Sequence, residues 1–429
     1  MSMKIVKYNL EGEIDSLQER RRPETGKARK IAENIIEVVR KYGDRALVNY
    51  AKKLDGAKLA INSLQVSQKE IKEAYAAVSK KELESLKFAK RNIQRFAKKQ
   101  LPEPWREEFM KGVQVGEKVF PLEMVGCYIP AGRYPLPSTV LMTAGVAKAA
   151  GVKEIIACSP PKRDGKIDPA IIVAADLCGV SKIFKTGGAQ AIAAMAFGTK
   201  QIPAVDKIVG PGNIYTTVAK QLLYGRVGID MLAGPTELVV LADTGKPEFI
   251  AADLLAQAEH DPDACAMLIT TSKELAQQVA GEVKRQLESL STRDVASASI
   301  RNNGRIFLVK NLEQGIGLVN RFAPEHTEVI TKNQKFAGMI KNASSLFIGQ
   351  WSAEVLGDYV SGPNHILPTG GFAKVRGGLS AADFVKLTAF QKVSRKGLMK
   401  LGAAAEQLAR IEGLAAHERS VAIRRMKNA

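Results

Sequence analysis

The sequence predicts an α/β protein built on parallel sheets, and three observations lead to this prediction. Between residues 118 and 242, short β-branched runs alternate with Ala-rich segments of helical length, as in parallel strands joined by crossover helices. The same alternation resumes at residue 247 and continues to about residue 349. The first 117 residues and the last fifty are instead charged and helix-like, so we expect helices to flank the sheets.

The strands and helices can be placed in chain order from run length and composition. The predicted strands, each a short run rich in apolar residues, are 125–129, 154–158, 182–184, 207–209, 238–241, 266–269, 305–309, 328–330 and 345–348. The predicted helices are 138–150, 169–178, 189–197, 215–223, 249–258, 273–290 and 312–322. A turn-rich stretch follows at 357–378, and the last fifty residues return to helix.

Two helix starts can be recognised in the N-terminal region. Ser67 with Glu70, and Ser79 with Glu82, have the form of capping boxes, each ahead of apolar residues at helical spacing. We expect both helices to pack through these apolar stripes.

The composition excludes several classes of protein. The chain has 429 residues, of which 45% are apolar and 25% charged, which is ordinary for globular proteins and unlike disordered or collagenous chains. No apolar stretch approaches the roughly 20 residues that span a membrane, and the first residues do not resemble a signal or transit peptide. The cysteines are far apart and form no CxxC pair: Cys127, Cys158, Cys178 and Cys265. Isolated thiols suit a reducing cytoplasm, where we expect the protein to be.

The net charge of +19 raises nucleic acid as a possible partner. Most basic residues, however, alternate with acidic ones at helical spacing, as at 69–73 and 80–87, which indicates solvated helix faces. No aromatic residues interleave with the basic ones to provide stacking platforms. We therefore expect no nucleic-acid binding, and a basic nucleic-acid-binding protein is the alternative from a different class.

Histidines are rare, and all four lie in polar or turn contexts: His260, His326, His365 and His417. Gln257 and His260 are three residues apart, so they share one helix face just before Pro262. A carbonyl oxygen and an imidazole on one face can bind a metal, although a helix C-terminus also favours His through the helix dipole.

Two further residues complete a possible set of metal ligands. Asp358 lies in a loop rich in Gly, Pro and Asn at 357–365, and His417 lies near the C-terminus. Together with Gln257 and His260 they offer nitrogen and oxygen ligands without thiolate, which suits zinc with positions left open for a substrate.

Glu325 and His326 are adjacent in a polar segment directly after a predicted helix. A carboxylate beside an imidazole offers two proton acceptors of different basicity, which suits a reaction with two distinct proton transfers. The alternative is an accidental pair in a polar loop.

Three Gly/Pro loops, at 129–133, 186–190 and 210–213, could hold a ligand. The last two follow a short strand and precede a helix, where backbone N–H groups favour anions such as pyrophosphate. None matches G-x-G-x-x-G, and no Walker A sequence is present. They indicate either an unusual nucleotide or phosphate site or ordinary strand-to-helix turns.

Eight sequence blocks in the same order make the chain resemble the histidinol dehydrogenase family over nearly its whole length. The blocks are VGCYIPAGRYPLPSTVLM (125–142), GGAQAIAAMAFGT (187–199), VDKIVGPGN (205–213), IDMLAGPTE (229–237), LLAQAEHDPD (254–263), RFAPEHTE (321–328), SGPNHILPTGG (361–371) and EGLAAH (412–417). The resemblance implies two incomplete Rossmann-like units of aldehyde-dehydrogenase-like type, the second inserted in the first, with a helical N-terminal arm and a C-terminal tail. The implied boundaries are an arm at 1–21, a first domain at 22–125 plus 236–379, an inserted domain at 126–235, and a tail at 380–429 that reaches a partner subunit.

The resemblance also implies a reaction, the NAD-linked, zinc-containing, four-electron oxidation of L-histidinol to L-histidine through bound histidinal. By position, the residues that match zinc ligands are Gln257, His260, Asp358 and His417, and those that match the acid–base pair are Glu325 and His326. The positions matching NAD contacts are Tyr128, Gln190 and Asn213; those matching substrate contacts, beside the zinc ligands, are Thr236, His326, His365 and Glu412. His417 and Glu412 would come from the partner subunit of a homodimer.

Two alternatives in chemistry accompany this resemblance. An alcohol-to-acid oxidation could use a Cys thiohemiacetal, for which Cys127 and Cys265 are candidates, but the family implies non-covalent catalysis, so we expect both to pack in the core. Some positions depart from the commonest family pattern, including Ala131 for Gly and Thr236 for Ser. A dehydrogenase of another amino or sulfo alcohol is therefore the alternative, whereas Glu412 favours histidinol because a carboxylate pairs with its cationic groups.

Overall fold

The structure, a computed structural model, describes residues 3–20, 26–131, 134–232 and 234–426. The predicted α/β class is confirmed, because the described residues form two parallel sheets and a smaller antiparallel one. The six-stranded parallel sheet has the order β1 (Lys4–Val6), β11 (Arg305–Leu308), β10 (Cys265–Thr270), β9 (Glu237–Ala242), β12 (His326–Ile330), β13 (Ser345–Ile348). The five-stranded parallel sheet has the order β6 (Lys182–Lys185), β5 (Glu154–Ser159), β4 (Met124–Tyr128), β7 (Lys207–Val209), β8 (Gly228–Ile229). The antiparallel sheet has the order β14 (Val385–Val393), β3 (Val113–Pro121), β2 (Trp105–Met110).

The helices lie between and around these strands. In the first third of the chain they are α1 (Leu10–Arg20), α2 (Gly26–Tyr42), α3 (Asp44–Tyr50), α4 (Gln68–Ala77), α5 (Lys80–Lys99) and α6 (Pro137–Ala149). In the middle they are α7 (Pro169–Leu177), α8 (Gly188–Phe197), α9 (Ile214–Leu223), α10 (Pro247–Ala258), α11 (Lys273–Ser289) and α12 (Arg293–Asn303). The last are α13 (Leu312–Phe322), α14 (Glu354–Tyr359), α15 (Arg395–Ile411) and α16 (Ala415–Met426). Among the described residues, no helix combines the length and apolar character needed to cross a membrane.

Each parallel sheet is covered by helices on both faces, which explains its nearly continuous apolar strands. In β9, Leu238 and Val240 face the core shared with α10, α11 and α12, whereas Val239 and Leu241 face the core shared with α1 and α13. In the five-stranded sheet, β4 and β5 likewise divide their side chains between a core with α6 and α7 and a core with α8 and α9. All strands of the five-stranded sheet lie in the chain between β1 and β9 of the six-stranded sheet.

The N-terminal helices pack on a different sheet from the one that we predicted. We grouped residues 22–125 with the unit that carries the predicted zinc and catalytic motifs. In the structure, α2 packs against α8 and α9, α4 against α7, and α5 against α6, so all three cover the five-stranded sheet. Their apolar stripes contact these helices because an amphipathic helix is stabilised wherever it finds a matching apolar surface, whatever its place in the chain.

Both predicted capping boxes are present. The Ser67 hydroxyl accepts a hydrogen bond from the Glu70 backbone N–H, and the Ser67 N–H donates to the Glu70 carboxylate at 2.8 Å. Ser79 and Glu82 make the same pair of bonds, with the reciprocal one at 2.7 Å. These local signals fixed the starts of α4 and α5 as predicted.

Several elements lie where we predicted none. The predicted helical arm contains β1, which pairs with β11, and the predicted helical tail begins with β14, which pairs with β3. The helix α12 and the strands β2 and β3 were also missed. The residues of β2 and β14 are mostly exposed on both faces, so these strands lack the apolar run or alternation by which strands are recognised.

Candidate active site

One cleft of about 2280 Å³ brings together most of the residues that the sequence singled out. Nine of them line it: Tyr128, Gln190, Asn213, Thr236, His260, Glu325, His326, Asp358 and His365. Tyr128 ends β4, and Asn213 follows β7, so the five-stranded sheet presents its carboxyl ends to the cleft, as expected for a ligand site in a parallel sheet. Thr236 precedes β9 and His326 begins β12, so the six-stranded sheet presents its amino ends.

Glu325 is buried directly before β12 and is held by three groups. Its carboxylate accepts hydrogen bonds from the Thr236 hydroxyl and from the Glu237 backbone N–H at 2.9 Å. The Glu325 N–H in turn donates to the Glu237 carboxylate at 3.2 Å. Burial raises the pKa of Glu325 to about 7, against the opposing effect of neighbouring His326. A carboxyl group with this pKa can take up or release a proton near neutral pH.

His326 lies at the start of β12, in the segment described above as polar, and is buried among carboxylates. Its Nδ1 lies 3.9 Å from Glu325 Oε2, and its Nε2 lies 3.5 Å from Asp358 Oδ1 and 3.9 Å from Glu354 Oε2. Burial lowers the pKa of His326, but these three carboxylates outweigh it and raise the pKa to about 10. By distance and angle, neither ring nitrogen makes a hydrogen bond to the described residues, although both face carboxylates.

Of the four predicted zinc ligands, His260 and Asp358 line the cleft, and Gln257 lies behind the lining residue Thr236. Gln257 is buried in the last turn of α10, where its amide nitrogen donates to the Thr236 hydroxyl. Its carbonyl Oε1 is buried without a partner among the described residues, as a metal ligand would be in the absence of the ion. His260 follows α10 and is exposed.

Asp358 is the third of these residues, and it lies in the helix α14 rather than in the predicted loop. Burial opposes its ionisation, but His326, His365 and His260 surround it and lower its pKa below the usual value. His365 also contacts the Asp358 backbone oxygen through Nδ1 at 2.8 Å. An ionised carboxylate among histidines suits a divalent cation, so these donors fit the predicted zinc.

The fourth predicted ligand, His417, lies elsewhere. It is exposed on α16, and Glu412 is exposed at the C-terminal end of α15. These two helices pack chiefly against each other and, through α15, against β14. Neither residue is among the described residues that line the cleft.

The sequence analysis did not identify a group of buried carboxylates beside His326. Glu354 is fully buried in the first turn of α14, and its two oxygens have no hydrogen-bond partner among the described residues. It lies with His326 and Asp358 in the described cluster whose ligand atoms are within 4.8 Å of one another. Glu328 is buried two residues after His326 on β12 and accepts the Glu354 N–H at 2.8 Å. The signal in the sequence that could have revealed this group was Glu328, an acidic residue within the segment that forms the buried strand β12.

The loops predicted to contact NAD surround the other end of the cleft. The Tyr128 hydroxyl accepts a hydrogen bond from the Gly188 N–H at 3.1 Å, next to Gln190 at the start of α8. The Asn213 side chain caps α9 by accepting from the Tyr215 and Thr216 N–H groups. The cleft is therefore lined by the N-terminal ends of two helices, which suits a pyrophosphate. In the third predicted loop, Arg133 lies outside the described residues.

Sequence comparison identifies the family to which the chain belongs. The sequence model of the histidinol dehydrogenase family matches residues 18–425 of the chain. The chain belongs to the histidinol dehydrogenase family. It is 46% identical to the histidinol dehydrogenase of Clostridium acetobutylicum over 420 residues, which are 97% of each chain. It is 47% identical to that of Bacteroides fragilis over 425 residues, which are 98% of this chain and 99% of the relative.

The fold of a solved histidinol dehydrogenase agrees with that of this chain. The crystal structure of the enzyme from Elizabethkingia anophelis superimposes with a TM-score of 0.94 at 40% sequence identity, covering 98% of both chains. This chain is thus an oxidoreductase of the histidinol dehydrogenase family, a family of histidine biosynthesis.

The cysteines occupy packing positions in this family member, as we expected. Cys127 lies in the core around the five-stranded sheet, and Cys265 lies in the core around the six-stranded sheet. Burial raises the pKa of the Cys127 thiol to about 12, whereas a nucleophilic cysteine needs its thiolate. Neither residue is among those described as lining the cleft.

Proposed function

We propose that this chain is a histidinol dehydrogenase that oxidises L-histidinol to L-histidine through bound histidinal, with NAD as oxidant and zinc as the substrate-holding metal. The observation that carries the proposal is that Glu325, His326, His260 and Asp358 line one cleft of a family member, with Gln257 bonded to the lining residue Thr236. The positions predicted to contact NAD, Tyr128, Gln190 and Asn213, line the same cleft and support NAD as the cofactor. The four buried cysteines, none of them in a CxxC pair, suit a cytoplasmic location. The described residues that line the cleft favour a small polar substrate over a nucleic acid.

His326 is assigned to the first half of the reaction as general base. Three carboxylates stabilise its protonated form, so the imidazole can act as a base only when this field is weakened. A zinc ion bound to Asp358 would offset part of the field and lower the pKa of His326, so that the neutral imidazole could accept the hydroxyl proton of the alcohol. A bound NAD would accept a hydride in each of the two oxidations.

Glu325 is assigned to the second half, in which water adds to the aldehyde. Its pKa of about 7 allows it to accept a proton from that water near neutral pH. The Thr236 hydroxyl, which donates to Glu325, holds the carboxylate in place. Thr in place of the family's common Ser keeps this hydroxyl.

Zinc would be held by Gln257, His260, Asp358 and His417 of the partner subunit. A bound zinc would hold the amine and imidazole nitrogens of the substrate. The buried, unpartnered Gln257 Oε1 and the ionised Asp358 support this assignment. Together with His365 and with Glu412 of the partner subunit, these residues would select a substrate with cationic groups.

A homodimer is proposed because the C-terminal helices expose apolar side chains. On α15 and α16 and the turn between them, the large exposed apolar residues are Met399, Leu408, Ile411, Leu414, Ile423 and Met426. Clustered exposed apolar residues on a soluble protein indicate an interaction surface. A second copy of the chain would cover this surface and bring His417 and Glu412 to the neighbouring cleft.

The proposal is tested by measuring NADH formation from L-histidinol. We expect two NADH per histidinol consumed, one zinc per subunit, and loss of activity after chelation that added zinc restores. Turnover of another amino or sulfo alcohol, with none of histidinol, would instead support the related dehydrogenase.

A further inference from the structure

We propose that a buried ion pair, Lys220 with Asp230, positions the loop 210–213 for the dinucleotide, so that its loss weakens cofactor binding but not substrate binding. This inference rests on the proposed NAD-dependent function. Lys220 lies on α9, and Asp230 follows β8, outside the residues assigned above to cofactor, metal or substrate.

The two charged side chains bind the backbone N–H and the backbone carbonyl of one residue, Gly210. The Lys220 ammonium contacts Asp230 Oδ1 and donates to the Gly210 carbonyl at 3.1 Å. The other oxygen of Asp230 accepts from the Gly210 N–H at 2.7 Å. The Lys220 and Asp230 side chains are only 5% and 0% exposed, so water competes little with these bonds. Hydrogen bonds to charged groups are also stronger than those between neutral groups.

Gly210 needs such support because its backbone has an unusual conformation. Its φ is +121°, and a Cβ at this position would lie 2.1 Å from the Tyr128 carbonyl oxygen. The backbone of Gly210 therefore packs directly against that of Tyr128, one of the predicted NAD contacts. A glycine in this region is free to adopt many other conformations, and the bonds to Lys220 and Asp230 select this one.

The position of Gly210 sets that of the rest of the loop. Pro211, Gly212 and Asn213 follow it directly and line the cleft, and Asn213 begins α9, the helix that carries Lys220. The chain runs from Gly210 through Asn213 into α9, and Lys220 on α9 bonds back to Gly210. This bond closes the segment into a ring.

The same ion pair is connected to a second segment, through Arg376. Arg376 donates to the Asp230 backbone oxygen at 2.5 Å and pairs with Asp383 at 2.9 Å. Arg376 lies in the segment after Phe372, which lines the cleft. Asp230 is thus held by both Lys220 and Arg376. We choose Lys220 for the test because substituting Asp230 would also disturb the segment around Arg376.

The test substitutes Lys220 by Met, which keeps the length of the side chain and removes its charge. We expect the Kd for NADH, measured by the change in NADH fluorescence in the absence of substrate, to rise about tenfold, near the lower end of the range for one lost hydrogen bond to a charged group. KM for NAD should rise by a similar factor, whereas KM for histidinol should stay within about twofold. Amide hydrogen exchange in 210–216 should become faster, which reports on the loop without any cofactor.

The matched control is Arg305→Met, which removes a similarly buried ion pair. Arg305 Nε lies 2.7 Å from Glu13 Oε1 in the six-stranded sheet, and the Arg305 side chain is 8% exposed. Glu13 is 19% exposed and keeps Lys4 as a second partner, so this variant should lose less melting temperature than Lys220→Met. A purely structural role for Lys220 predicts a loss of melting temperature with no selective change in NADH affinity, as in the control. If Lys220→Met does not fold, Lys220→Gln is used, because Gln also removes the charge and its shorter side chain does not reach Gly210 as Lys220 does, while its polar end lowers the cost of burial.

The outcomes separate this inference from the proposed function. If the wild-type protein does not bind NADH, the proposed function fails. If the wild type binds NADH and a folded Lys220 variant binds it equally well, with unchanged exchange in the loop, the role of the ion pair is refuted. A weaker affinity for NADH with unchanged KM for histidinol supports it.

Discussion

The proposed sharing of each active site between two subunits can be tested by mixing two inactive variants. His326 is buried in the cleft, whereas His417 is exposed on α16, outside the described residues that line the cleft. If each site takes His326 from one chain and His417 from the other, then His326→Ala and His417→Ala should each inactivate the homodimer. In a mixed dimer, both defects fall in one site, and the other site is intact.

The expected recovery follows from this geometry. Unfolding the two variants together in equal amounts and refolding them gives mixed dimers in half of the population if association is random. Each mixed dimer has one intact site of two, so the mixture should recover up to about a quarter of the wild-type activity. The assay is NADH formation from histidinol, with mixed dimers identified by a tag on one variant.

A second mixture is the control. His326 and Glu325 are adjacent in the chain and line the same cleft, so a mixed dimer of His326→Ala with Glu325→Gln has one defect in each site. This mixture should recover no activity beyond that of the two variants alone. Absence of recovery in the first mixture, with mixed dimers present, would show that His326 and His417 act within one chain and would refute the proposed arrangement.

Three further predictions follow from the burial of single residues. Replacing Cys127 and Cys265 by Ala should leave the zinc content and most of the activity intact, and loss of either in a folded variant would contradict the N/O ligand set and non-covalent catalysis. Glu325→Gln should slow histidinal oxidation more than histidinol oxidation, by about 10² to 10⁴ for loss of a general base; equal losses in the two assays would contradict the assigned roles. Burial raises the pKa of Asp55 to about 6 from 3.8, so its ionisation makes folding less favourable as the pH rises through this window. Asp55→Asn should therefore raise the melting temperature at pH 8 but not at pH 3.5, and the same change at both would refute this explanation.

Local patterns in the sequence were sufficient for much of the fold. The capping boxes at Ser67 and Ser79 involve groups three residues apart, so neighbouring residues alone determine them. The buried strands and their crossover helices were recognisable because burial on both faces requires continuous apolar runs. The order of eight motifs further indicated the family, which the match over residues 18–425 confirmed.

Packing between distant segments decided what the sequence could not show. The sheet that α2 and α5 cover depends on which apolar surfaces fit, and β14 forms because β3 offers it a partner, although few of its residues are buried. The spacing of apolar residues within one segment determines neither which sheet a helix covers nor which strand another strand pairs with.

The electrostatic surroundings of the candidate base also depend on tertiary structure. In the sequence, His326 has one acidic neighbour on its N-terminal side, Glu325. The structure adds Glu354 and Asp358 from α14 at 3.9 and 3.5 Å, and only the packing of α14 beside β12 brings these charges together. The sequence therefore predicted which residues carry the chemistry, whereas tertiary structure sets their charge state, because pKa values depend on burial and on the charges that folding brings close.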